Sequence, residues 1–171
     1  MRERIEPPNQ YAWIVNAIAV IAVGALAGYI LSMNTTSRAT SAPAATTAPA
    51  TVADAVNAGN RLYDAGRYED AIPLYQKALT LNPSDAGVST DLGTALWYAG
   101  HADAALAQYD RSLAIERHHA QTLFNLGIVR ADGKHDYIGA IDAWETLLKT
   151  NPTYPAADKV RELIADARKK S

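Results

Sequence analysis

The chain has 171 residues, a formal charge of −2, one Phe and no cysteine. Those totals suit one domain with an appendage, or a small repeat array. They exclude disulfides, thiolate zinc sites, cysteine nucleophiles and haem attachment at paired cysteines, and they offer nucleic acid no basic surface. Ala-rich text punctuated by Leu points to an all-α chain.

In chain order, a short tail (residues 1–10) precedes a candidate membrane helix (residues 11–33). From Tyr11 to Leu31 the text "YAWIVNAIAVIAVGALAGYIL" carries no charge. At about 1.5 Å per residue it reaches roughly 31 Å, enough to cross a hydrocarbon core. Tyr11, Trp13 and Tyr29 fall where interfacial anchors belong. The rival reading, a cleaved leader, asks for a shorter apolar run and a small-x-small site close behind it. Here "SAPA" and "TAPA" come well after the run. Arg2 and Arg4 before the segment, against Arg38 after it, place the N-terminus in the cytoplasm and the rest outside, periplasmic in a bacterium. Gly24 and Gly28 have the spacing that lets two membrane helices approach, a candidate homodimer contact, although Gly is common in such helices anyway.

Residues 34–51, "NTTSRATSAPAATTAPAT", hold almost no large apolar side chain. Such text cannot bury enough surface to offset chain entropy, so it reads as a disordered tether.

From residue 52 onward the text repeats. Gly59, Gly93 and Gly127 recur at one spacing; Ala71, Ala105 and Ala140 recur with them, as do Tyr75, Tyr109 and Trp144, and Leu79, Leu113 and Leu148. A period of about 34 residues, with a small residue, then Ala-x-x-x-aromatic, then Pro, is a helix-turn-helix repeat signature. The chain resembles the tetratricopeptide repeat family at Gly59, Ala71, Tyr75, Ala78 and Pro83, at Leu92, Gly93, Ala105 and Tyr109, and at Leu126, Gly127, Ala140, Trp144 and Pro152. The resemblance implies a right-handed α-solenoid of three repeats (52–85, 86–119 and 120–154), closed by a capping helix over 155–171. The first large position of the family motif, often Trp, is Ala55, Ser89 and Leu123 here.

Local expectations follow. The repeat glycines and the alanines opposite them are small because two helices cross closely, and the aromatic fills space between successive repeats. Gly66, Gly100 and Gly133 end the first helix of each pair. Ser84 caps the second repeat, and Pro73 distorts its helix without breaking it. Repeat three carries one extra residue in "RADGKHDY", so its internal turn is longer. Pro155 starts the capping helix, whose Val160, Leu163, Ile164 and Ala167 share one face.

No motif for chemistry is present: no phosphate loop, no His-Glu-x-x-His, no Gly-x-Ser-x-Gly. His118 and His119 read as closing a helix, and no cofactor or metal is expected. The informative surface is the concave one. By i, i+4, i+7 spacing it carries Val56, Asn60 and Tyr63, then Thr90, Thr94 and Trp97 with Tyr98, then Phe124, Ile128 and Ala131. Gln121 and Asn125 join them. Such a groove invites a peptide with apolar anchors; the alternative is that these side chains pack on one another or on the cap. Family members that clamp a terminal carboxylate use Lys and Arg with Asn. Asn60 and Asn125 stand at matching places, but Val56, Gln121 and Asn125 fill the basic positions and Asp91 adds a negative charge, which argues against acidic tails.

The sequence thus points to a membrane-anchored, non-catalytic adaptor that binds a protein or peptide. The stretch "AIDAWETLLKTNPTYPAADKVRELIADARK" also resembles repeat domains of bacterial c-type cytochrome maturation, which grip an apocytochrome tail. A structural subunit of an envelope assembly is a further alternative.

Overall fold

The computed structural model describes residues 51–171, and the tail, the candidate membrane helix with Gly24 and Gly28, and the tether up to residue 50 lie outside them. Among the described residues no helix is long and apolar enough to cross a membrane. Those residues form seven α-helices and no strand: α1 (Val52–Asp64), α2 (Tyr68–Leu81), α3 (Ala86–Tyr98), α4 (Ala102–Ile115), α5 (Ala120–Ile128), α6 (Tyr137–Thr150) and α7 (Ala157–Arg168). A π-helical turn, Val129–Gly133, continues α5. The pairs α1–α2, α3–α4 and α5–α6 are the three repeats, and α7 packs on α6.

Capping residues set the starts. Thr51 accepts from the Asp54 amide, and Asp136 from the Gly139 amide. The cap of α3 is Asp85, whose carboxylate accepts from the Val88 amide at 3.0 Å, not the expected Ser84. An Asp here satisfies an orphan donor and also complements the helix dipole. The capping helix starts at Ala157, two residues later than Pro155 suggested.

The turns inside repeats one and two are Schellman closures. Gly66 and Gly100 take φ of 72° and 87°, and the amides of Arg67 and His101 reach back to the Leu62 and Leu96 carbonyls. Repeat three differs from expectation. The extra residue is absorbed by widening the helix into the π turn, and the left-handed position falls on His135, with φ of 54°, instead of on Gly133. Pro73 leaves α2 continuous from Tyr68 to Leu81.

Each repeat is held by one motif. Tyr75, Tyr109 and Trp144 are buried, and each presses its ring against the glycine of its own repeat. A Cβ on Gly59 would stand 2.8 Å from Tyr75, and one on Gly93 would stand 2.5 Å from Tyr109. Trp144 is closer still to Gly127. The aromatic is therefore an intra-repeat spacer, and the glycines are small because a ring sits on them. Ala71, Ala105 and Ala140, fully buried, keep the second helix near enough for this. On α7, Val160, Leu163, Ile164 and Ala167 are all buried, so the apolar face read from spacing is the face that covers the last repeat.

Candidate functional site

The second helices pack on one side of the first helices. Between α2 and α4, above Leu92 and Leu96 of α3, lies an open cleft of about 440 Å³ bordered by Gln76, Leu79 and Arg111. The opposite face of α1, α3 and α5 is the groove. On α3, a helical turn of 3.6 residues puts Gly87, Asp91, Thr94 and Tyr98 on the side away from Leu92 and Leu96. The equivalent row on α1 is Ala53, Asn57, Asn60 and Asp64, all exposed, and on α5 it is Gln121, Asn125 and Ile128.

The side chains named from sequence divide between this open row and the joints beside it. Asn60 is exposed in the groove and accepts a hydrogen bond from the Tyr75 hydroxyl at 2.8 Å. Gln121, Ile128 and Tyr98 are half-buried, and Gln121 donates to Asn125 at 2.8 Å. Val56 is half-buried against the core of repeat one. Thr90, 2% exposed, sits at the joint of repeats two and three. Its hydroxyl donates to the Ala86 carbonyl and lies 2.9 Å from Ser112 Oγ and 2.6 Å from Thr122 Oγ1. Thr94 is also buried: it donates to the Thr90 carbonyl, accepts from Asn125 Nδ2 at 2.9 Å and meets the Tyr109 hydroxyl at 3.2 Å. Phe124 is buried beneath Tyr154, with ring centroids 6.1 Å apart. Trp97 covers Gly133 and Ala102, so it belongs to the packing of the π turn. Ala131 is buried in that same turn. Tyr63 and Tyr98 meet Tyr68 in a three-ring cluster with centroids 5.0 to 5.9 Å apart.

Thus the spacing that begins at Val56, Thr90 and Phe124 marks the joint between neighbouring first helices. The open row begins one residue on, at Asn57, Asp91 and Asn125, about 100° round the helix. Asn57 and Asp64 are groove residues that the sequence reading left out. Their signal was polarity at a position where all the apolar neighbours turn inward.

The histidine reading also changes. α4 ends at Ile115, and His119 stands at the start of α5, where Nδ1 lies 2.7 Å from Thr122 Oγ1. Among the described residues, no cluster of three His, Asp or Glu side chains could hold a metal ion.

Electrostatically the groove is acidic. Asp91 is pushed up to about 6, first by burial and then by the charge of Asp85. The hydroxyls of Tyr75 and Tyr109 are raised above the usual phenol range, mainly by burial, and Asp91 adds to both. Asp64 adds to Tyr75 as well. Asp132 is also raised by burial, an effect that Lys170 and His135 oppose, and its Oδ2 is buried without a hydrogen-bond partner.

Stacked antiparallel helix pairs, a cap on the last pair and an open face along the first helices define a helical-repeat array. The matching family models give the repeat its name: a TPR repeat model covers residues 59–100, and a tetratricopeptide repeat model covers residues 90–136. Together with the structural neighbours they support the tetratricopeptide repeat family for this array. The SycD chaperone of Yersinia enterocolitica, solved with a peptide of the translocator YopD, superposes with a TM-score of 0.65 at 17% identity, over 70% of this chain and 93% of that one. The Sgt2 TPR domain of Aspergillus fumigatus gives 0.63 at 21% identity, over 70% and 78%. The first TPR of Spaghetti (RPAP3), bound to the HSP90 peptide SRMEEVD, gives 0.60 at 19% identity, over 67% and 94%. At these identities the likeness is one of fold. No curated protein matches the chain.

Proposed function

We propose that this chain is a non-catalytic adaptor that grips a segment of another protein in the groove of α1, α3 and α5. The observation that carries the reading is the open row itself. Asn57, Asn60, Asp64, Asp91, Tyr98, Gln121 and Ile128 stay outside the buried core, while the Gly–aromatic pairs hold the repeats together. Amides and two carboxylates, with Tyr98 and Ile128 on the same row, give the mixture of directional bonds and apolar contact that an extended segment needs. Two structural neighbours of the same fold were solved with peptides bound.

The uncharged stretch within residues 11–33 supports a membrane anchor, and residues 34–51 a tether. In that arrangement the groove lies on the far side of the membrane from the N-terminus, and tethering raises its effective concentration for partners at that surface. A reporter enzyme active only outside the cytoplasm, fused after Ser171, should be active; an inactive fusion at normal levels reverses the topology.

The binding test compares two variants of the full chain as bait in membrane extract of its host. One blocks the groove, with Asn57→Arg and Gln121→Arg; the other blocks the opposite cleft, with Gln76→Arg and Ala107→Arg. A partner kept by the wild-type chain and the cleft variant and lost from the groove variant supports the reading. Loss from the cleft variant alone moves the binding face to α2 and α4.

A further inference from the structure

We infer that the groove selects a segment bearing a lysine or arginine, with Asp91 of α3 as the residue that receives the cation. This rests on the groove being the binding site and names the chemistry of what it binds.

The first observation is charge. Across α1, α3 and α5 the only cation is Arg61, against Asp54, Asp64 and Asp91. No Lys or Arg occurs in α3 or α5. An acidic segment would meet Asp91 and lose hydration without finding a counter-ion.

The second observation is that Asp91 is unemployed. Asn60 takes the Tyr75 hydroxyl, Thr94 takes Asn125, and Asn125 takes Gln121, while the unpartnered Asn57 and Asp64 are exposed to water. The Asp91 carboxylate makes no hydrogen bond and no ion pair within the described residues, although it is half-buried in the middle helix of the array. Its oxygens still reach solvent, since among the described residues the only buried, unpartnered side-chain oxygen is on Asp132. Burial without a partner raises the free energy of the ionised form, which is the cause of its elevated pKa. An arriving ammonium or guanidinium would relieve that cost and gain a charge-assisted bond in a sheltered site.

The third observation is what stands further along the same row. Tyr98 lies two helical turns on from Asp91, about 10 Å along α3, and stacks with Tyr68 at 5.0 Å, with Tyr63 edge-on to both. These partly exposed rings suit an apolar side chain of the same segment, a short distance from its cationic one. Nothing equivalent exists on the opposite cleft, whose lining carries Arg111 and no acid.

The test displays random twelve-residue peptides to the immobilised full chain, to its Asp91→Asn variant and to the groove-blocked Asn57→Arg/Gln121→Arg variant. Circular dichroism of each variant checks the fold. Peptides enriched on the wild-type chain and not on the blocked variant should carry Lys or Arg at one shared position. That preference should fade on Asp91→Asn, and an enriched peptide should bind this variant about tenfold more weakly by fluorescence anisotropy, with a smaller difference at high salt. Groove-dependent peptides with no basic bias, or with an acidic one, overturn the inference and leave the groove standing. Peptides that bind the blocked variant equally well, or none enriched on any protein, overturn both.

Discussion

Gly93→Ala sets two effects of similar size against each other. Alanine favours a helix interior by about 1 kcal/mol over glycine. Here, however, the new methyl would stand 2.5 Å from Tyr109 Cε1 and 2.7 Å from Cδ1. The ring has no room to yield: Tyr109 is 0% exposed, and its hydroxyl is tied to Thr94 at 3.2 Å. Overpacking of this kind costs about 1–3 kcal/mol, and the closeness of the contact puts it at the upper end, so the net loss should be up to about 2 kcal/mol. Urea unfolding of the variant, followed by circular dichroism, measures it. The discriminating control is Tyr109→Leu, which lowers stability itself but removes the ring edge. On that background Gly93→Ala should become neutral or stabilising, a reversal of sign. The order across repeats should be Gly127→Ala worst and Gly59→Ala mildest, following the approach of each ring. A Gly93→Ala protein as stable as the parent would show that the ring moves freely and that the glycines are small for another reason.

Three further outcomes follow from particular contacts. Asp85→Ala should cost about 1 kcal/mol in urea unfolding, through loss of the bond to the Val88 amide, while Ser84→Ala should be within error of the parent. Thr122→Val removes the hydroxyl shared by Thr90, Ser112 and His119 and should cost about 1–3 kcal/mol, because their buried oxygens lose a partner; an unchanged midpoint would mean that water replaces it. Asp91→Asn should raise the melting temperature at pH 8 and change it little at pH 4. The folded carboxyl titrates at about 6 against its ordinary 3.8, so between those values the folded state holds a proton that the unfolded state has released. Its contribution to stability therefore falls as pH rises through that window and stays low above it. Solvent reaching the half-buried carboxylate limits the gain at pH 8 to about 1 kcal/mol. The buried hydroxyls of Tyr75 and Tyr109, which Asp91 acts on, stay neutral at pH 8, so an Asn variant less stable than the parent at pH 8 would contradict this account.

The repeat register was legible because one physical requirement is written three times. A ring on the second helix needs a glycine opposite, and both recur with the period. The capping face of α7 was legible for a related reason, since a terminal helix has one buried side and a strong alternation. The features that escaped are those decided by one residue in a short segment. Ser84 and Asp85 are both competent caps, and backbone geometry chose the second. An inserted residue in repeat three lengthens a loop or widens a helix with equal ease on paper; Trp97 packing on Gly133 accompanies the widened helix. The small residues at the family's first large position, Ala55 and Ser89, depart from the motif. They are buried, and Gln108 of α4 fills the second site by donating to Ser89 Oγ at 2.7 Å.

Of the side chains read as a groove, Val56, Thr90 and Phe124 pack at joints of the array, whereas Asn60, Tyr98, Gln121 and Ile128 stay on the uncovered row. Val56, Thr90 and Phe124 look like a binding row because they are a hydrophobic and hydroxyl stripe at helical spacing, but a first helix in this array has neighbours on both flanks as well as behind. The stripe is used at the flanks: Thr90 joins Ser112 and Thr122, and Phe124 meets Tyr154. What remains for a ligand is the narrow row that no helix covers, and on that row apolarity is not selected by folding. Its composition is then free to be set by what is bound. On α3 that row carries Asp91, a half-buried carboxylate with no hydrogen bond among the described residues. On the reading proposed above, its charge, more than the aromatic content of the repeats, is what an arriving segment must match.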